Sequence, residues 1–344
     1  MNFLLTGIGF SAALMMSWFF MPVAIRLSNK LGAMDKPDER KLHDNAIPVL
    51  GGIVIFLTFI ICFLVLIPLD KVFQSFMAGL LVIFITGLVD DIWHLNPLLK
   101  FTGEITSALL FILMSDISII SFGDLVGTGS IYTGKYAIPV TVFCMVGVMN
   151  ALNFADGLDG LAGGISAIAC IFLACFAWLC GSFSYLLMLL ILLGSLLGFL
   201  YFNRYPAKIF MGDTGSLVLG YILSAICILL VQKTHCSSPV LPVSMAIVMG
   251  LPIVDALVIM ANRILHGRNP FSPDNSHLHH RLLLIGFSHE KTVLVVYLMM
   301  SSCGILALFI RPLLEWVQFT IGVVYASLLF GSVYILNFKK YKLT

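Results

Sequence analysis

The sequence predicts an all-α polytopic membrane protein, and three features predict it. Hydrophobic residues fill 60% of the 344 positions and charged residues 10%, more apolar surface than a water-soluble core of this length can use. The apolar residues run continuously for roughly the 20 residues that a bilayer-crossing helix needs, without the short alternating segments of a membrane β-barrel. Lysine and arginine then collect in every second connection, the asymmetry that orients membrane helices.

Eleven spans follow, at about 3–25, 49–69, 73–89, 98–114, 137–153, 161–180, 185–202, 215–231, 240–262, 292–310 and 317–337. The first has no basic leader and no small-residue cleavage site, so it is expected to stay as a helix. Glu104 interrupts the fourth. The ninth contains LPIVDAL, where Pro252 is expected to break the helix and Asp255 is an acid inside the membrane, a functional candidate by default. With the N-terminus outside, the loops after spans 1, 3, 5, 7 and 9 and the C-terminal tail face the cytoplasm and hold fifteen of the 19 basic residues. The opposite side keeps Lys71, Lys135, Lys233 and Arg311. The C-terminus is then cytoplasmic, and the chemistry is expected on the cytoplasmic face of the membrane.

The chain shows no internal repeat, and residues 1–344 read as one integral-membrane catalytic domain. Six of the eight cysteines (Cys62, Cys144, Cys170, Cys175, Cys227 and Cys303) lie inside spans, as packing residues rather than a disulfide framework or thiol ligands. A net charge of +2 gives no reason to expect nucleic acid. The carboxylates take sides as the lysines do: only Asp70, Asp116, Asp124 and Glu315 fall on the outer side, where the loops are short and nearly featureless.

Four inner segments carry the chemistry-bearing residues. The first is GLVDDIWHLNPLLK, with Asp90 and Asp91 adjacent; its plain reading is a pair of solvated charges ending a helix. The second, NALNFADGLDGLAGG, holds Asn150, Asn153, Asp156 and Asp159. A lone Asp-Gly is an ordinary helix cap, but two aspartates three apart place like charges near one another on the first helical turn, where they need a cation, a proton or a positive group. The third, FNRYPAKIFMGDTGS, sets Asp213 among small residues and free N–H groups at the start of span 8, a setting that suits a phosphate and its Mg²⁺. The fourth, GRNPFSPDNSHLHHRLL, brings Arg268, His277, His279, His280 and Arg281. Its histidines read as donors to sugar hydroxyls or phosphate oxygens, with His277, His280 and Arg281 on one helical face; zinc and a structural role are the alternatives. The first cytoplasmic loop adds Lys41 and His43, within reach of a phosphate or simply a positive anchor.

VDD, NFADGLDGLAGG, FMGDTGSL and the HLHH loop, in this order, resemble the polyprenyl-phosphate N-acetylhexosamine-1-phosphate transferases over essentially the whole chain. Leu278 interrupts the histidine run and makes the loop similar to the branch that transfers GlcNAc-1-phosphate rather than the lipid I branch. The resemblance implies an eleven-helix enzyme that is Mg²⁺-dependent (Mn²⁺ as a substitute), often a homodimer, and inhibited by tunicamycin-like nucleosides. It implies that UDP-GlcNAc and undecaprenyl phosphate, the latter drawn from the lipid bilayer, give undecaprenyl-pyrophosphoryl-GlcNAc and UMP. This would be the first membrane step of an envelope polysaccharide such as O-antigen, common antigen or teichoic acid.

Carried onto this chain, Asp213 matches the Mg²⁺ ligand, and Asp90 and Asp91 the pair assigned to catalysis and to metal or pyrophosphate positioning. Asp156 and Asp159 match catalytic positions on the nucleotide side, with Asn150 and Asn153 beside them. Phe210 matches a residue near the uracil, the HLHH loop the sugar-recognition segment, and Lys100 more loosely a lysine after the acidic pair. The loops expected to build the site are about 26–48, 90–97, 154–160, 203–214 and 263–291. Another UDP-N-acetylamino sugar is the alternative donor. Outside this family, an aspartate-rich prenyltransferase lacks a place for MGDTGS and HLHH, and a transporter of an anionic metabolite would carry its charges nearer the midplane.

Overall fold

The computed structural model describes residues 2–35, 46–233, 240–267 and 277–343. Thirteen α-helices are present among them: α1 (Asn2–Leu31), α2 (Gly51–Leu66), α3 (Lys71–Trp93), α4 (Pro97–Ser115), α5 (Ala137–Ala155), α6 (Leu161–Leu179), α7 (Phe183–Asn203), α8 (Gly212–Lys233), α9 (Pro242–Val248), α10 (Gly250–Leu265), α11 (Leu278–Ile285), α12 (His289–Ile310) and α13 (Glu315–Leu343). Nine of these described helices are long and apolar enough to cross a bilayer by themselves. The other two expected spans are shaped differently.

The second span is a 16-residue helix, about 24 Å at 1.5 Å per residue. It stops where Pro68 forces the preceding Ile67 into an extended conformation (φ −118°, ψ 124°). The ninth span is a bent pair, α9 and α10, meeting at 82°. The expected break at Pro252 falls three residues earlier, at Met249, because Pro252 sits in the first turn of α10, where no intrahelical N–H is missed. Two further differences are local. Met34–Asp35 and Ile47–Pro48 form a small antiparallel pair, the one sheet among the described residues. The outer segment before α5 is also more ordered than featureless: Ser121 and Tyr132 bridge, and Glu315 at the start of α13 accepts from the Asp124 amide.

Packing follows composition. Helix α8 is apolar around its whole circumference and is the most enclosed of the nine, as an all-round hydrophobic helix must be. It lies against α2, α3, α5 and α6, while α7 lies against α1, α2 and α6, and α12 against α6, α9 and α11. Helices α1 and α13 leave most of their surface outward, where lipid would meet it. The end of α3, the start of α4, the end of α5 and the start of α8 converge at one end of the bundle. Alternate connections therefore share a face, as the loop charges predict.

Cys62, Cys144, Cys170, Cys175, Cys227 and Cys303 are free thiols within the helices. Cys180, at the opposite end of α6 from the converging loops, is disulfide-bonded; the expectation of packing cysteines alone did not include it.

Candidate active site

Helix α3 ends in Asp90-Asp91, and the two side chains part at once. Asp90 is buried, 7% exposed; its Oδ1 accepts from the Leu95 amide at 2.8 Å and so ties down the turn into α4. That helix opens on an Asn96 cap with Pro97 in the first position, both ordinary starts, and its first turn carries Lys100. The Lys100 ammonium lies 2.9 Å from Asp90 Oδ2 and 3.0 Å from Asp213 Oδ2. One cation thus joins carboxylates from two other helices. For the buried Lys100–Asp90 pair, removing one partner typically costs about 3–5 kcal/mol, because the other charge is left uncompensated; the pair with the more exposed Asp213 is worth less.

Asp91 turns instead to the start of α8. Its Oδ1 accepts from the Asp213 amide at 2.7 Å, and its Oδ2 from the Thr214 amide at 3.0 Å and from the Thr214 hydroxyl. The N–H groups that the sequence reading left free for a phosphate are therefore taken by Asp91, a carboxylate at the positive end of a helix. Gly212 makes the approach possible: its φ is +66°, and a Cβ there would stand 2.5 Å from the Asp91 carboxylate.

Two amides complete this side. Asn153 donates to Asp213 Oδ1 and, at 2.9 Å, to the Ser216 hydroxyl. One turn earlier on α5, Asn150 donates to Glu104 and, at 3.0 Å, to the Val146 carbonyl. Glu104, 1% exposed, no longer looks like an interruption of α4. It stands one turn beyond Lys100 on the same helix face and meets the polar residue that the facing helix offers it.

Asp156 and Asp159 do not share a helical turn. Helix α6 begins only at Leu161, with Gly160 at φ +79° before it, so both acids lie in the turn ahead of it. Burial pushes the Asp156 carboxyl up to about 8, with the Asp213, Asp91 and Asp159 charges adding to the rise. Asp159 Oδ2 accepts from the Ala207 amide at 2.8 Å. Asn203, buried at the end of α7, accepts from the Gly160 amide at 2.9 Å and donates to the Ile209 carbonyl at 2.8 Å. Phe210 braces the start of α8 on α2: its amide donates to the Pro48 carbonyl at 2.7 Å and its carbonyl accepts from the Gly51 amide at 3.0 Å.

The histidine segment is anchored by Asp255. That carboxylate lies 2.9 Å from His277 Nδ1 and accepts from the Leu278 amide at 2.9 Å, so the acid inside the ninth span caps α11. His277 is the residue before that helix rather than part of its face, and Arg281 lies over the Tyr334 ring at 3.9 Å. Of the expected face of His277, His280 and Arg281, only the last two lie on the helix itself.

His279 is 3% exposed. Burial, with the neighbouring His280 and His277, holds its pKa well below the usual imidazole value, so the ring is neutral. Its Nε2 is buried without a hydrogen-bond partner and lies 2.3 Å from where a Cβ on Gly157 would be. The HLHH segment thus rests against the DGLDG turn, and Gly157 is what lets it. Lys41, His43 and Arg268 lie outside the described residues.

The sequence reading gave Lys100 a loose role, Glu104 only suspicion, and Gly157 and Thr214 none. The Lys100–Glu104 spacing of one helical turn was the available signal for the first two. Nothing in the sequence distinguishes Gly157 from the other turn glycines.

No three His, Cys, Asp or Glu side chains among the described residues are placed to hold a metal by themselves. The donor set nevertheless fits Mg²⁺, which commonly takes one or two carboxylates and completes its shell with water and substrate phosphate. Asp90 and Asp213 already converge on one cation, the Lys100 ammonium. Asp91 is the least suited of the three expected ligands, since both its oxygens accept from the α8 start.

The sequence model of glycosyl transferase family 4 matches residues 73–231, the stretch that supplies every group of this carboxylate cluster. The chain is 36% identical over 313 residues to a probable undecaprenyl-phosphate N-acetylglucosaminyl 1-phosphate transferase of Bacillus subtilis, covering 90% of this chain and 86% of that protein. It is 35% identical over 324 residues to a decaprenyl-phosphate N-acetylglucosaminephosphotransferase of Mycobacterium tuberculosis, covering 85% of this chain and 78% of that one. An undecaprenyl-phosphate α-N-acetylglucosaminyl 1-phosphate transferase of Escherichia coli K12 is 28% identical over 331 residues, 92% of this chain and 88% of its own length.

Proposed function

The chain belongs to the polyprenyl-phosphate N-acetylglucosamine-1-phosphate transferases of glycosyl transferase family 4, and from that membership we propose that it moves GlcNAc-1-phosphate from UDP-GlcNAc to undecaprenyl phosphate. The observation that carries the reading is the convergence of Asp90 and Asp213, from different helices, on a single cation.

In the proposed reaction an oxygen of the lipid phosphate attacks the β-phosphorus of the nucleotide sugar. The bond from that phosphorus to the bridging oxygen breaks, and the oxygen leaves on UMP. A lipid phosphate with a second pKa near ~6 is largely dianionic at neutral pH, so single displacement needs no general base. What the reaction needs is placement and compensation of negative charge. Asp213 and Asp90 would hold Mg²⁺, which when bound would neutralise charge on the diphosphate and on the departing UMP. Lys100 supplies a fixed positive charge beside both carboxylates. Asp91 holds the start of α8, and so Asp213, in place. Asn153 orients Asp213 from the other side. His279, neutral and with Nε2 unpaired, has a hydrogen bond to offer the sugar.

The reading places the protein in a bacterial inner membrane with this end of the bundle at the cytoplasmic face. The basic loops support that placement, as does the disulfide at Cys180 on the opposite end, which suits an oxidising compartment. An apolar cavity of about 320 Å³ between α5, α8 and the α9–α10 bend offers room for part of a polyprenyl tail.

Purified protein supplied with Mg²⁺, undecaprenyl phosphate and UDP-GlcNAc labelled in the sugar should yield labelled lipid and UMP in equal amounts. UDP-GalNAc in place of UDP-GlcNAc should yield little. No labelled lipid from any UDP-amino sugar would overturn the reading, and label trapped on the protein without lipid would replace single displacement by a covalent route.

A further inference from the structure

The DGLDG turn has a back as well as a front. Its front is Asp156, which feels Asp213 and Asp91. Behind it, the turn walls a cavity of about 840 Å³ between the end of α7, the loop that follows, and the start of α12. Of the expected site residues among the described ones only Asp159 lines that cavity; none of Asp90, Asp91, Lys100, Asn153, Asp156 and Asp213 does, and the reaction steps proposed above assign Asp159 no part.

The cavity is two-natured. Arg204, Lys208 and His289 stand at its polar end, and Leu197, Tyr201 and Leu294 form an apolar wall that is exposed on the outside of the bundle. Arg204 is held over the Tyr201 ring at 5.2 Å, and the Lys208 side chain has no partner among the described residues. Two acids also line it. The Asp159 carboxylate accepts from the Ala207 amide and is thereby held at the turn, while Glu290 lines the cavity with Arg204 and Lys208. The two cations are thus matched by two acids, and the headgroup contact rests on the positions of Arg204 and Lys208 rather than on an excess of positive charge. Cations at the headgroup level above an outward apolar groove are the pattern that binds a lipid-borne phosphate.

We propose that this cavity is a binding site for the phosphate headgroup of an anionic glycerophospholipid of the bilayer, with one acyl chain along Leu197 and Leu294. The occupant is a resident lipid rather than the polyprenyl acceptor, because Asp159 and Gly160 separate the cavity from the carboxylates that would meet the acceptor's phosphate. The site also touches the reaction indirectly. On the cavity wall the Tyr297 hydroxyl donates to the Gly160 carbonyl at 2.5 Å, and His289, stacked on Tyr205 at 4.5 Å, lies 3.4 Å from the Asp159 carbonyl. A lipid seated there braces the turn that carries Asp156.

Native mass spectrometry of the full chain, titrated in detergent with phosphatidylglycerol, tests this. Wild type should retain one phosphatidylglycerol per chain, and the R204A/K208A variant should bind it about tenfold or more weakly, as two basic contacts to a headgroup imply. A second variant, L294W, should lose the lipid by filling the apolar wall while both cations remain. Should R204A/K208A fail to fold, K208E alone gives the same reading. Equal retention by wild type and the cation variants would overturn the proposal. So would one-for-one displacement of phosphatidylglycerol by undecaprenyl phosphate, which would make the cavity the acceptor's own site.

Discussion

The two halves of the candidate site are built in opposite ways. On the carboxylate side, α3, α4, α5 and α8 are long membrane helices, and almost every polar atom they present is already paired: Asp90 and Asp213 with Lys100, Asp91 with the start of α8, Asn150 with Glu104. On the histidine side, α11 has eight residues, and His279 keeps a buried Nε2 with no partner. The first half is organised before any ligand arrives, as electrostatic catalysis requires. The second half keeps a buried hydrogen-bonding atom without a partner, a costly state unless a ligand satisfies it, and the proposed function assigns that atom to the sugar. Under the proposed function, charge work and selectivity would fall to different helices.

That division can be broken by substitution, and the largest effect should come from the paired half. Lys100→Met removes the charge between two carboxylates, and turnover should fall about a hundredfold or more with a smaller change in KM, on the scale of losing a preorganised charge at a reacting centre. Steady-state kinetics in detergent would check it. A loss confined to KM would move Lys100 out of the charge-compensating group.

Gly157→Ala acts on the other half. The new methyl group would meet His279 and push the HLHH segment off the DGLDG turn. KM for the nucleotide sugar should rise about tenfold while kcat changes less, since a misplaced binding group costs mainly ground-state contacts. If kcat fell more steeply than KM rose, the halves would not divide the labour as described.

The smallest expected effect is one of stability. The Asp156 carboxyl binds its proton more tightly when folded, at about 8, than its ordinary value of 3.8. A raised carboxyl pKa lends stability that is complete below the unfolded value and is lost as pH rises through the folded one. Substrate-free protein should therefore melt at a progressively lower temperature between about pH 4 and pH 8 and level off above, and Asp156→Asn should flatten that slope. An unchanged slope in the variant would assign the titration elsewhere.

The helices were legible because bilayer length and continuous apolarity are strong one-dimensional signals. The four inner segments were legible because carboxylates among so few charges stand out. What the sequence hid is geometric. A helix bent by 82° reads as one apolar run, and Pro252 drew the expected break away from Met249. Asp90 and Asp91 are neighbours in sequence with opposite assignments in space, one to a cation and the other to a helix start. Asp255 showed itself as an acid in a membrane span, but its partner His277 lies 22 residues away, beyond the reach of any local pattern. Lys100 was underrated for the same reason, since its two partners come from α3 and α8.

The central claim is that Asp90 and Asp213 form the cation-binding pair of this protein. The most direct test follows Mn²⁺, standing in for Mg²⁺, by electron paramagnetic resonance as it binds purified protein with UDP-GlcNAc present. One ion per chain should bind wild type, and Asp213→Asn should weaken it at least about tenfold, since losing even a group that orients a metal ligand costs that much. Mn²⁺ binding that is equally tight in wild type, Asp213→Asn and Asp90→Asn would contradict it.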